Sequence, residues 1–482
     1  VLDPRPVALI IGVLLCILAV GMVIPAAVDA IVGNRDWTVF AAAAVTTFFV
    51  GLALVLTCRT DVVRLTIRQA FLLTTLIWIV LPAFAALPFA FSELSLSYTD
   101  AFFEAMSGIT TTGSTVIVGL DVSPPGLLLW RGILQWLGGI GIIIMALTIL
   151  PMLRVGGMQM FKVEAFEAQE KILPRATSLA SALTVVYVLL TAIWAFLLWM
   201  AGMTNLEAVI HAMTTIATGG YSTADASVGH FQSWRIDLII TLGMVVGGVP
   251  FLLLIQAVRG KPFSLLRDTQ VRWYLITMGA GIGAVALWLS IEMDMSLGAS
   301  LRYASFNVAS VMTGTGFATI DYWQWSGVAV GVLFCLMFVG GCAGSTSCGI
   351  KIFRFQILGA TARIQLLRLL QPHGVFIPYY NKRPIEDGVA ESVMAFFFLY
   401  GMSVGLLTLA LGALGLDFVT ALSGAATAIS NVGPGLGEII GPAGNFSTLP
   451  DAAKWLLSLG MLLGRLELFT VLVLLMPRFW KG

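Results

Sequence analysis

Ile109-Thr110-Thr111-Thr112-Gly113-Ser114 lies between two long apolar segments, and variations on it return three more times along the chain. The second copy is Ile216-Ala217-Thr218-Gly219-Gly220-Tyr221, the third Met312-Thr313-Gly314-Thr315-Gly316-Phe317, and the fourth Ile429-Ser430-Asn431-Val432-Gly433-Pro434. A glycine stands in the fifth column of each, at 113, 220, 316 and 433, so the copies are 107, 96 and 117 residues apart. Self-similarity at near-regular spacing implies repeated structural units, here four quadrants around one axis.

The residues around these copies are those of a membrane protein. Of 482 residues, 59% are hydrophobic and 11% charged, where a soluble domain carries about a quarter charged. A net charge of +1 without a basic patch argues against a nucleic-acid partner. Five cysteines, an odd number placed in or beside apolar segments, argue against a disulfide framework. The first apolar stretch, 6–27, is longer than a signal-peptide core and lacks a cleavage site, so it reads as a membrane helix.

Crossing about 30 Å of hydrocarbon takes roughly 20 apolar residues. Ten segments qualify: an N-terminal pair at 6–27 and 37–57, then two per repeat, at 69–91 and 128–153, 177–203 and 236–258, 273–291 and 323–353, and 392–414 and 453–477. Between the members of each later pair runs a half-length segment, at 100–109, 206–216, 297–312 and 418–429, which is too short to cross. The predicted fold is therefore an all-α polytopic membrane protein. Four tandem helix–pore loop–helix repeats (66–160, 161–265, 266–385 and 386–482) surround one pore and follow an N-terminal transmembrane pair (1–65). Irregular backbone at membrane depth must be buried by protein or face water, so the four loops face one another around a cavity. Twenty of the 26 Lys and Arg fall on the side reached by an even number of spans, which places both termini in the cytosol. The mixed-charge segment 155–176 reads as a solvated cytoplasmic helix.

Loops of this kind suit a bare monovalent cation. Rings of backbone carbonyls can replace a hydration shell, and glycine permits the conformations that turn carbonyls inward. A half-helix aiming its C-terminus at the cavity adds the negative end of its dipole. One Thr-Gly pair in a chain of 50 glycines is ordinary punctuation, but four copies of such a loop, each between a half-length helix and a span, are not.

These segments resemble the membrane subunit of Trk-type potassium uptake systems, in the Trk/Ktr/HKT superfamily. The resemblance runs through Ser107–Ser114, Thr218–Thr223, Gly314–Phe317, Ser430–Gly435 and Gly464-Arg465-Leu466-Glu467. It implies a potassium-conducting pore in a bacterial inner membrane, with potassium held at Thr111, Thr112, Gly113, Thr218, Gly219, Gly220, Thr315, Gly316, Val432 and Gly433. A homodimer in membrane lipid, and a cytosolic nucleotide-binding regulatory subunit of the TrkA type, are implied as well. No nucleotide would bind this chain directly. Serine at the first filter glycine goes with sodium preference in some relatives; here all four are glycine. Gly219 and Val432 depart from the Thr-Gly pattern, so strict fourfold symmetry is not required.

Two further features bear on gating. Gly340-Gly341-Cys342-Ala343-Gly344-Ser345-Thr346-Ser347-Cys348-Gly349 interrupts the third repeat's second helix in mid-membrane. Its four glycines disfavour helix by roughly 4 kcal/mol relative to alanine. The stretch reads as an unwound loop rather than a close helix-packing surface, which would set small residues three or four apart, whereas no bulky residue intervenes here for ten positions. The resemblance implies that this loop acts as an intramembrane gate. Arg465, mid-span at a cost of about 3 kcal/mol, reads either as a structural tie to a carboxylate or loop carbonyl, or as a fixed charge in a water-filled cavity below the filter. The resemblance favours the latter. Lys351 reads as a loop-carbonyl ligand or an interfacial anchor, and Glu104, His211 and Asn307, each nine residues before a repeat glycine, as braces of the pore helices.

A sodium-permeable or ion-coupled relative remains the alternative within transport. An organic-solute carrier would need inverted repeats, and a membrane enzyme an acid, base or metal cluster at depth. Neither pattern is present, nor are Walker, HExxH or GxSxG motifs.

Overall fold

Apolar runs with internally satisfied backbones can only be helical in a bilayer, and helices dominate the computed structural model. It describes residues 3–60, 65–148, 157, 176–325, 327–381, 383–385 and 388–480. The expected cytoplasmic helix at 155–176 lies almost wholly outside the described residues.

The N-terminal pair is α1 (Arg5–Val32) and α2 (Trp37–Thr57). A methyl on Gly12 would stand 2.8 Å from the Gly51 carbonyl oxygen, and one on Gly51 equally close to that of Gly12, so the two backbones nearly touch. Repeat 1 follows as α3 (Ile67–Ala85), α4 (Tyr98–Ile109) and α5 (Pro125–Thr148). Repeat 2 is α6 (Ala176–Met200), α7 (Asn205–Ile216), α8 (Trp234–Gly247) and α9 (Phe251–Val258). Repeat 3 is α10 (Thr269–Glu292), α11 (Leu297–Thr313), α12 (Gly327–Met337) and α13 (Ile352–Leu370). Repeat 4 is α14 (Val389–Ala413), α15 (Phe418–Ser430), α16 (Asp451–Arg465) and the short α17 (Phe469–Leu472).

The four half-length helices are present and each of the ten expected segments contains helix, but the second helices are not all rods. Among the described residues seven helices are long and apolar enough to cross a membrane unbroken. In repeat 2 the chain bends by 104° between α8 and α9, and in repeat 4 by 106° after α16, where straight spans were expected. Gly247-Gly248-Val249-Pro250 explains the first bend, since proline removes a donor and clashes with the preceding turn. Repeat 4 has no such breaker. There Glu467 and Leu468 adopt positive φ of 59° and 56°, a sparsely populated region for L-residues costing roughly 1–3 kcal/mol each, so packing must hold it. The third break, between α12 and α13, is the expected unwound stretch. A bridge between Val339 and Ile350 closes its neck, with Gly340 N donating to Ile350 O at 2.9 Å and Ile350 N to Phe338 O at 3.0 Å.

Candidate functional site

The four half-length helices α4, α7, α11 and α15 start in the same way. Ser97, Thr204, Ser296 and Asp417 each accept the amide of the third residue on, Asp100, Glu207, Ala299 and Thr420. With those ends capped, the opposite ends run directly into the four Gly-containing loops and bring the negative ends of four dipoles to one place.

The loops share one backbone conformation. Two residues before each repeat glycine φ is positive (Thr111 52°, Thr218 49°, Gly314 72°, Asn431 52°), and it is positive again at Gly113 (90°), Gly220 (79°), Gly316 (83°) and Gly433 (111°). Glycine meets that requirement in the last column without the Cβ penalty. Its missing side chain also makes room. A methyl on Gly113 would strike the Gly219 carbonyl oxygen, one on Gly220 that of Thr315, and one on Gly316 that of Val432. One on Gly433 would stand 2.9 Å from the carbonyl oxygen of Thr112. Each loop therefore abuts the next in the order 1, 2, 3, 4 and back to 1, and the ring closes.

Among the described residues no protein donor reaches the carbonyl oxygens of Thr112, Gly113, Gly220, Thr315, Gly316 or Val432. Buried carbonyls are almost always paired. Six oxygens from four chain segments left without donors at the centre of an apolar bundle form a ready ligand set for a cation. The Gly219 oxygen is the exception in its row, accepting from Gln135 Nε2 at 2.5 Å.

Behind the ring, every half-length helix braces the limb that leaves its own loop. Glu104 accepts Thr115 Oγ1 at 3.0 Å and Val116 N at 2.9 Å. His211 Nε2 lies 2.9 Å from Ser222 Oγ, Asn307 Nδ2 donates to Thr319 Oγ1 at 2.9 Å, and Ser423 Oγ accepts Leu436 N at 2.9 Å. Glu104, His211 and Asn307 thus occupy the bracing positions expected of them.

Loop 340–349 lies against the inner side of the ring. Cys348 N donates to Thr313 O at 3.4 Å, Cys348 Sγ lies 3.7 Å from Thr111 Oγ1, and Thr346 Oγ1 donates to Ile216 O and Gly247 O, both at 3.0 Å. It touches the inner ends of three loops, and the three helix breaks meet around it. The bend after α8 receives Cys342 N on Gly248 O at 3.0 Å, while Phe251 N donates to Gly344 O at 2.9 Å. From the bend after α16, Arg465 Nη1 reaches Cys348 Sγ at 2.8 Å and Thr346 O at 3.5 Å, and its Nη2 reaches Gly138 O at 3.5 Å.

Arg465 is therefore a buried tie to the loop. Among the described residues it borders, with Ser347, Cys348, Tyr400 and Asn431, a cavity of ≈ 30 Å³, far smaller than the open water-filled cavity expected around it. Lys351 donates to the Ser347 carbonyl and Arg354 pairs with Glu467. Both cations are buried, so these two of the twenty assigned to the cytoplasmic side line the interior of the bundle.

Sequence reasoning missed Arg131 and Gln135 on α5. Arg131 Nε bonds Glu104 at 2.8 Å, its Nη1 donates to Ser222 O at 2.7 Å, and its guanidinium lies 4.0 Å over the Tyr221 ring. An arginine inside an apolar run was the available signal. It also missed the pairs Arg302–Asp237 (2.7 Å) and Lys454–Asp100 (2.5 Å), which cross from one repeat to the next. Partners so far apart in the chain leave no local pattern.

Comparison with known proteins agrees with this architecture along its whole length. The chain is 46% identical to the Trk system potassium uptake protein TrkI of Halomonas elongata, covering 99% of this chain and 97% of that one. It is 38% identical to the Trk system potassium uptake protein TrkH of Escherichia coli, covering 99% of each. The crystal structure of the potassium transporter TrkH from Vibrio parahaemolyticus superposes with a TM-score of 0.92 over 100% of both chains, at 35% identity. The family described as TrkH, cation transport protein, matches residues 37–481. This multi-span membrane protein therefore belongs to the TrkH family of cation transport proteins, which are transporters and not enzymes.

Proposed function

We propose that this chain conducts potassium inward across a bacterial inner membrane through the ring of four loops, with both termini in the cytosol. The carrying observation is the closed ring of four loops at the negative ends of four half-helices, in which six carbonyl oxygens accept no protein donor among the described residues and only those of Gly219 and Gly433 are engaged. In this reading Thr111, Thr112, Gly113, Thr218, Gly219, Gly220, Thr315, Gly316, Val432 and Gly433 form the selectivity filter. Loop 340–349, with Arg465 beneath it, is the gate in its closed position. Related proteins named for potassium uptake support the choice of ion. The working unit is a homodimer in lipid, opened by a cytosolic nucleotide-binding ring.

Gly113→Ser tests the filter assignment. Its Cβ would meet the Gly219 carbonyl in a backbone with φ of 90°, displacing an oxygen that faces the ion. In proteoliposomes the rubidium-to-sodium flux ratio should fall severalfold. A folded variant with an unchanged ratio refutes the assignment.

A further inference from the structure

Repeats 1 and 3 hold their loops by a device that repeat 2 lacks. In repeat 1 the hydroxyls of Thr110 and Thr112 lie 2.7 Å apart, and in repeat 3 those of Thr313 and Thr315 do the same. Each pair joins the residues three and one before the repeat glycine, tying the loop to the end of its own half-helix. Repeat 2 has Ala217 and Gly219 in those columns, so no hydroxyl is available.

A side chain from another element fills the gap. Gln135 of α5 is fully buried. Its Nε2 donates to Gly219 O at 2.5 Å and its Oε1 accepts Tyr221 N at 3.0 Å, so one amide grips the loop on both sides of Gly220. A methyl on Gly219 would collide with the Gln135 amide carbon and oxygen. Glycine stands where the threonine of repeats 1 and 3 stands because Gln135 occupies that space. One helical turn earlier, Arg131 holds Ser222 O, extending the same support along the limb.

We infer that Gln135 is a specificity-determining positioning residue, acting through the second loop as a substitute for its missing threonine pair. It does not face the ion. It fixes the Gly219 carbonyl and draws on one of that oxygen's lone pairs, making the second quadrant unlike the first and third. This inference rests on the filter reading above.

The test compares Gln135→Met, which keeps bulk but neither hydrogen bond, and Gln135→Glu, which keeps the acceptor for Tyr221 N and loses the donor to Gly219 O. Each is reconstituted beside Gly113→Ser, with rubidium and sodium flux and the potassium-dependent rise in Tm measured on the full chain. Both Gln135 variants should lower the rubidium-to-sodium ratio by about fivefold, the scale of one hydrogen bond, and shrink the potassium-specific Tm rise, a readout that general loosening leaves in place. The triple variant Gln135→Ala, Ala217→Thr, Gly219→Thr transplants the threonine pair and should recover the ratio, whereas Gly219→Thr with Gln135 in place should lower it. If Gly113→Ser changes the ratio while folded Gln135→Met and Gln135→Glu do not, the inference is overturned and the filter reading stands. If none of the three changes it, the filter reading fails and this inference with it.

Discussion

Replacing Arg465 by alanine should open the pore, and the structure sets the scale. Arg465 is the last residue of α16, at the bend of repeat 4, and makes three contacts, two to loop 340–349 and one to α5. The one to Cys348 Sγ, at 2.8 Å, is short, whereas those to Thr346 O and Gly138 O, both 3.5 Å, lie at the edge of hydrogen-bond reach. A hydrogen bond from a charged donor contributes about 1.5–3 kcal/mol. Counting the short contact fully and the long ones as marginal gives about 2 kcal/mol favouring the loop's seated position. At tenfold per 1.4 kcal/mol, its loss shifts the closed-to-open ratio roughly thirtyfold. The assay is rubidium uptake into proteoliposomes containing the purified chain alone, beside its melting temperature in detergent. Arg465→Ala should raise basal uptake by about that factor, and Arg465→Lys, which keeps the charge and one reach of donor, should raise it less. A loss of Tm with no gain in uptake would refute the gating argument and leave Arg465 a purely structural tie.

Deleting Gly344–Ser347 should likewise raise basal uptake, because it removes the hydrogen bonds of Thr346 to Ile216 O and Gly247 O that seat the loop; equal uptake in a folded deletion would show that the loop is not the obstruction. Arg354→Met, by stranding Glu467 from its buried ion-pair partner, should cost about 3–5 kcal/mol and lower Tm markedly, and the double variant Arg354→Met, Glu467→Leu should recover most of it. Asp417, exposed at the start of α15, has its carboxyl held below the ordinary 3.8 by hydrogen bonds from Thr420. Its contribution is present above that value and lost as pH falls through the lower folded pKa, so wild-type Tm should fall more steeply than that of Asp417→Asn below about pH 4.

The sequence by itself determined the class of the fold and its repeat. Twenty-residue apolar runs can only be membrane spans, half-length runs cannot cross, and a glycine recurring after each half-length run marks four equivalent turns. It also located the unwound stretch at 340–349, because ten small residues in a row cannot sustain a helix against its alternatives. Tertiary structure decided how these parts meet. The bend at Glu467 and Leu468 has no breaker in the sequence and exists because Arg354 and the loop hold it. The glycine at 219 is an anomaly along the chain and becomes explicable only when Gln135, 84 residues earlier, is seen to occupy the missing side chain's place. Spacing along the chain records what each segment can do alone, whereas the conformation of a buried turn depends on neighbours whose distance in sequence is arbitrary.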